Sequence, residues 1–135
     1  MSFNLRSIKT LDAFPFAVKD PDGNPTGVTL TLAGPMHPVR KAVAHAAQRK
    51  MLASARRSGQ VDLPDPEETE KERATNLAKF TLGWDGYAND QGQVVPFSEA
   101  EARALYADPE MTWLADQVDA ALANKQLFTK RADTN

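Results

Sequence analysis

Two stretches of strict alternation stand early in the chain, and most of the remaining sequence runs at a helical period. Phe14, Phe16 and Val18 alternate with Pro15, Ala17 and Lys19, and Val28, Leu30 and Leu32 alternate with Thr29 and Thr31. Between them lies Asp20-Pro21-Asp22-Gly23-Asn24-Pro25-Thr26-Gly27, a dense cluster of turn formers. Two period-2 runs around such a cluster predict a β-hairpin with a longer loop. The apolar groups fall on one face only, so the sheet must pack one side on helices. An isolated two-stranded hairpin is marginal in water, which calls for a third strand or for those helices to cover it.

Gly34-Pro35-Met36-His37-Pro38 closes the second strand, and a helix is expected from Val39 to Arg57. It is rich in alanine, the residue that costs least in a helix. Val39, Ala42, Val43, Ala46, Ala47 and Ala53 share one broad arc, and Ser58-Gly59 is a stop. After a short linker over residues 60–64, Asp65-Pro66-Glu67-Glu68 starts a second helix. Asp65 can cap it, Pro66 suits the first helical position, and Glu68 completes a capping-box spacing. Leu77, Phe80, Thr81 and Trp84 continue at helical spacing, so this helix is expected to run on until Gly83–Gly86. Residues 87–97 read as irregular or as a short extended piece. Ser98-Glu99-Ala100-Glu101 starts a third helix, with Ala102, Leu105 and Tyr106 as its apolar side. Asp108-Pro109 starts a fourth, whose stripe is Trp113, Leu114, Gln117, Val118, Ala121 and Leu122, with Phe128 closing it. The expected fold class is α+β, an N-terminal β-hairpin followed by about four α-helices. One domain spans residues 14–128, between a flexible arm (1–13) and a polar tail (129–135).

Composition agrees with one folded domain: 135 residues, 41% hydrophobic and 25% charged. The absence of cysteine excludes a disulfide framework, a thiolate metal site and a cysteine nucleophile. The first residues, Met1-Ser2-Phe3-Asn4-Leu5-Arg6, lack the apolar run of a signal peptide, and no stretch approaches the ~18 consecutive apolar residues of a membrane span. The expected location is the cytoplasm. The net charge of −2 hides a split: residues 1–60 carry 9 Lys/Arg against 3 Asp, whereas residues 61–135 carry 7 against 15 Asp/Glu. Such a split suits either a nucleic-acid face or attraction between the halves, within one subunit or between neighbours. The acidic half would repel a polyanion, which favours attraction.

No constellation of catalytic or ligating side chains emerges. His37 and His45 stand eight positions apart, where a helical metal pair needs three or four. The glutamates between 67 and 72 belong to a solvated first turn, and Ser54, Ser58 and Ser98 lie in no nucleophile motif. Catalytic, cofactor and metal sites are therefore not expected. The six cations Arg40, Lys41, Arg49, Lys50, Arg56 and Arg57 spread around much of a helical wheel, and no aromatic residue interleaves with them for base stacking. Nucleic-acid binding is disfavoured on both counts. The aromatic residues of the second half, Trp84, Tyr87, Phe97, Tyr106, Trp113 and Phe128, read first as core. Trp84 and Tyr87 flank a glycine bend and are the better anchors for a partner.

Several segments together resemble the tail assembly chaperones of long-tailed bacteriophages and prophages. They are Trp84-Asp85-Gly86-Tyr87, Gly92-Gln93-Val94-Val95-Pro96-Phe97-Ser98, Ala102, Leu105-Tyr106-Ala107-Asp108-Pro109, Trp113, Gln117-Val118 and Phe128. Pro25-Thr26-Gly27-Val28-Thr29-Leu30 and Gly34-Pro35-Met36-His37-Pro38 are similar to the same group. The resemblance implies a non-enzymatic protein of the bacterial host cytoplasm that coats the tape measure protein, keeps its long helices soluble, helps recruit tail tube subunits and is absent from the finished virion. It further implies a contact region at Trp84, Gly86, Tyr87, Pro96, Phe97 and Ser98. A basic half and an acidic half would suit head-to-tail stacking of many copies along one extended client. The competing expectations are a structural virion protein, such as a tail tube or head–tail joining subunit, and a small nucleic-acid-binding regulator.

Overall fold

A computed structural model describes residues 2–58 and 65–131. The expected linker (60–64) and the end of the expected tail (132–135) lie outside the described residues. The hairpin forms as the alternation requires. Strand β2 (Ala13–Lys19) pairs antiparallel with β3 (Pro25–Ala33), with Phe14 opposite Leu32 and Phe16 opposite Leu30. The turn is built on Asp20, whose carboxylate accepts from the backbone N–H groups of Asp22 (3.0 Å) and Asn24 (2.8 Å). The register slips between Ala17 and Lys19, so β3 begins at Pro25, earlier than the turn-rich composition suggests.

A third strand completes the sheet, and it comes from a segment that the helical spacing assigns elsewhere. Helix α2 (Pro66–Phe80) stops at Phe80, and β4 (Thr81–Asp85) continues the chain without a loop, giving the order β2-β3-β4. The expected continuation of α2 to residues 83–86 is therefore corrected. Thr81 turns the chain into extended geometry: its N–H and its hydroxyl (2.9 Å) both bond to the Leu77 carbonyl, satisfying the helix end. Beyond it, β-branched Thr81 and Gly83 are weak helix formers, while β3 offers an unpaired edge. Pairing Leu30 with Trp84 then places Phe16, Leu30 and Trp84 in one row on one face.

The terminal segments also meet. Strand β1 (Ile8–Thr10) pairs antiparallel with β5 (Thr129–Arg131), and the Leu11 N–H donates to the Phe128 carbonyl. The region expected as an arm thus contains residues held in a small second sheet, and the expected tail begins inside it. Period-2 patterning could not reveal these strands, because each is three residues long and β1 is exposed.

Three helices cover the apolar face of the main sheet. They are α2, α3 (Glu99–Ala107) and α4 (Thr112–Ala123). Leu30 and Leu32 from the sheet meet Leu77 of α2, Ala102 and Tyr106 of α3, and Leu114, Val118 and Leu122 of α4. Phe128 is fully buried, with its ring edge-on to Phe14 at 6.0 Å. Truncating Leu30, Leu32 or Leu77 to Ala costs about 2–5 kcal/mol. The starts of α2 and α3 obey the sequence signals, whereas α4 begins only at Thr112, past the expected Pro109 and with no side-chain cap. Asp65 accepts from Glu67 N–H, Ser98 from Glu101 N–H, and Asp108 from Glu110 N–H in a 3₁₀ turn that leads into α4.

Helix α1 (Pro38–Ser58) lies outside this core. Its alanine arc packs only in part: Val39 and Val43 are half-buried, whereas Ala42, Ala46, Ala47 and Ala53 remain exposed. His37 caps its start, accepting at Nδ1 from the Val39 N–H at 3.1 Å. Arg40 pins it down, donating to the carbonyl of Leu122 at 3.1 Å, with its guanidinium 5.7 Å from the Phe80 ring centre.

Candidate protein-binding site

Strand β4 delivers Trp84 to the rim of the sheet, where three contacts fix its indole. The ring meets Tyr87 edge-on at 5.1 Å and Phe97 edge-on at 4.9 Å. Its Nε1–H donates to the Val95 carbonyl at 2.9 Å. Residues 86–97 therefore form a structured excursion folded back on Trp84. The Val95 N–H donates to the Tyr87 carbonyl at 3.0 Å, and Ala88 bridges Val94. At its tip, the Asn89 side chain accepts from the N–H groups of Gln91 and Gln93, both at 3.0 Å.

In front of Trp84 opens an apolar cavity of about 160 Å³. Its floor is the sheet face, Val18, Val28 and Leu30; its walls are Trp84 and Tyr87 on one side and Leu105, Met111, Trp113 and Leu114 on the other. The lining is almost wholly carbon. An apolar cavity near 150 Å³ is large enough to hold a benzene ring. This one therefore suits a single large apolar side chain presented from outside.

The six expected site residues divide by position. Trp84 and Tyr87 line the cavity, and Phe97 stands behind Trp84 as its support. Gly86 has φ +80°, and its backbone lies so close to the Gly27 carbonyl that a Cβ would sit 2.3 Å from that oxygen. Ser98 is the N-cap of α3, at 3.0 Å from the Glu101 N–H. Pro96 is exposed and does not line the cavity. The structure adds Val28, Leu105, Met111 and Trp113, which come from elements far apart in sequence. Trp113 reads in sequence as one more member of the α4 stripe. Its position in the first turn, directly after Pro109–Met111, was the available hint that it stands at an edge.

Beyond the cavity, no group of three His, Asp or Glu side chains among the described residues could hold a metal ion. No helix among them is long and apolar enough to cross a membrane. The chain matches no protein-family model, no curated protein and no solved structure.

Proposed function

We propose that this protein is a non-enzymatic assembly chaperone of a long-tailed phage or prophage, which binds the tape measure protein and helps recruit tail tube subunits. One observation carries the binding part of the reading: the open apolar cavity between Trp84, Tyr87 and Trp113. An amphipathic client helix presents large apolar side chains at intervals of three or four residues, and a cavity sized for one of them gives it an anchor. The tail-assembly part rests on the resemblance of the Trp84–Ser98 segment and its flanking elements to that chaperone group. The same reading assigns the protein to the host cytoplasm and outside the finished particle.

The test is co-expression with a tape measure fragment, using the full chain and a Val28→Phe variant that fills the cavity. The unmodified chain keeps the fragment soluble and co-purifies with it, and the variant folds but loses the complex. An insoluble fragment with no complex rejects the reading. Mass spectrometry of purified virions provides the second check, since many copies per particle would make this a structural subunit instead.

A further inference from the structure

The outer face of α1 and the groove between α2 and the start of α4 carry opposite charge, and the fold keeps them apart. On α1, Lys41, His45, Arg49, Leu52 and Arg56 are all exposed and fall within an arc of roughly 100°. Of the six cations of this helix, Lys41, Arg49 and Arg56 share this arc, whereas Arg57, exposed like them, falls outside it. Arg40 turns inward to Leu122, and Lys50 lies beside Val43 and Ala47 on the side that faces α2. The outer arc is a cationic stripe with Leu52, 51% exposed, between Arg49 and Arg56. Among the described residues, none of Lys41, Arg49 and Arg56 has an ion pair; the carboxylates of Asp116 and Asp119 are taken by Arg73.

The acidic groove, about 480 Å³, is lined by Glu67 and Glu70 of α2 and by Asp108, over a floor that includes Tyr106, Ala107 and Pro109. Arg73 and Lys71 also line it, but Arg73 is already committed to two carboxylates. Helix α2 turns Glu72, Thr75, Asn76 and Lys79 toward α1 and turns Glu67, Glu70 and Arg73 toward the groove, on its opposite side. The cationic stripe in turn faces away from α2. One chain therefore cannot bring its own stripe to its own groove.

We propose that the groove receives the α1 stripe of a second copy, with Arg49 and Arg56 against Glu67, Glu70 and Asp108 and Leu52 against the apolar floor. The partner is another molecule of this chain, because the same sequence supplies both complementary surfaces. The acidic surface of each copy disfavours a nucleic acid on the stripe. This contact does not depend on the identity of any client.

Sedimentation velocity on the full chain alone tests it, with the double variants Arg49→Glu/Arg56→Glu and Glu67→Lys/Glu70→Lys. At low salt the unmodified chain associates with increasing concentration, and it returns to single copies in about 1 M salt, where the Debye length is about 3 Å. Each double variant weakens association about tenfold, as expected for reversing two exposed pairs. An equimolar mixture of the two variants restores it, because each reversed surface then meets its complement. The neutral pair Arg49→Gln/Arg56→Gln gives the same loss if circular dichroism shows that reversal disturbs α1. The proposal is overturned by single copies at every concentration, by association indifferent to both reversals, or by a mixture that does not recover. A gel shift with duplex DNA or RNA that Arg49→Glu/Arg56→Glu abolishes also overturns it, assigning the stripe to nucleic acid.

Discussion

Gln117 and Lys19, 98 positions apart, are joined by two hydrogen bonds. The Lys19 N–H donates to Gln117 Oε1 at 2.9 Å, and Gln117 Nε2–H donates to the Lys19 carbonyl at 2.8 Å. The side-chain amide of α4 thereby acts as one extra peptide unit on the edge of β2, tying the helix to the end of the hairpin. Gln117→Leu leaves both backbone groups to water and is expected to cost about 1–2 kcal/mol in urea denaturation. Gln117→Glu keeps the acceptor but sets an acidic oxygen against the Lys19 carbonyl, and its cost is at least as large at neutral pH.

Substitution at two left-handed glycines separates conformational strain from collision. Gly92 has φ +76° and open space around its Cβ position, so Gly92→Ala is expected to cost about 1–2 kcal/mol. Gly86 has φ +80°, and the Gly27 carbonyl oxygen stands where the new methyl group would go. Gly86→Ala adds that collision to the strain and is expected to cost about 3 kcal/mol or more. Equal denaturation midpoints for the two variants would contradict the close approach of the two backbones.

Trp84→Phe preserves a ring between Tyr87 and Phe97 but removes the donor to Val95. The expected loss is about 1 kcal/mol of stability. The sharper readout is amide hydrogen exchange: residues 87–95 are released preferentially, by about tenfold, while amides of β3 stay protected. If the proposed function holds, the same variant also weakens capture of the tape measure fragment, because Tyr87, which lines the cavity, begins that loop.

Tyr106 predicts an alkaline limit to stability. Burial raises its phenol to about 12, and its hydroxyl lies 2.7 Å from that of Thr81. Thr81 donates to Leu77, so Tyr106 is the donor in this pair. An unfolded tyrosine loses its proton near pH 10, and the folded one keeps it until about 12. The folded state therefore binds more protons in that window, and stability falls as pH rises through it, by about 1.4 kcal/mol per pH unit. Tyr106→Phe costs about 1 kcal/mol at neutral pH and flattens the decline between about pH 10 and 12 in denaturation curves.

Arg40 tests how α1 is held. Its guanidinium reaches two carbonyls, Leu122 at 3.1 Å and Ala33 at 3.4 Å, and lies over Phe80 and Phe128. Partial burial lowers its pKa. Arg40→Lys keeps the charge but loses the planar fork and is expected to cost about 1–2 kcal/mol. Limited proteolysis should then cut first near α1, whose packing is otherwise slight.

The sequence by itself determined the hairpin, the starts of α2 and α3, the turn that precedes α4 and the apolar stripe of α4. These are local matters: alternation places Phe14, Phe16, Leu30 and Leu32 on one face, and Asp65, Ser98 and Asp108 each reach an N–H only two or three residues ahead. It also pointed to Trp84 and Tyr87 as neighbours at a glycine bend. The tertiary structure alone decided what depends on partners distant in the chain. Thr81 to Asp85 fit either a helical or an extended period, and the free edge of β3 settled the choice. Strands β1 and β5 exist only because the two ends of the chain meet. The cavity needed Val28, Trp84, Met111 and Trp113 together, and no local pattern records that meeting. The cations of α1 were visible as residues from the start, but that Arg40 among them turns inward was fixed only when it found the Leu122 carbonyl.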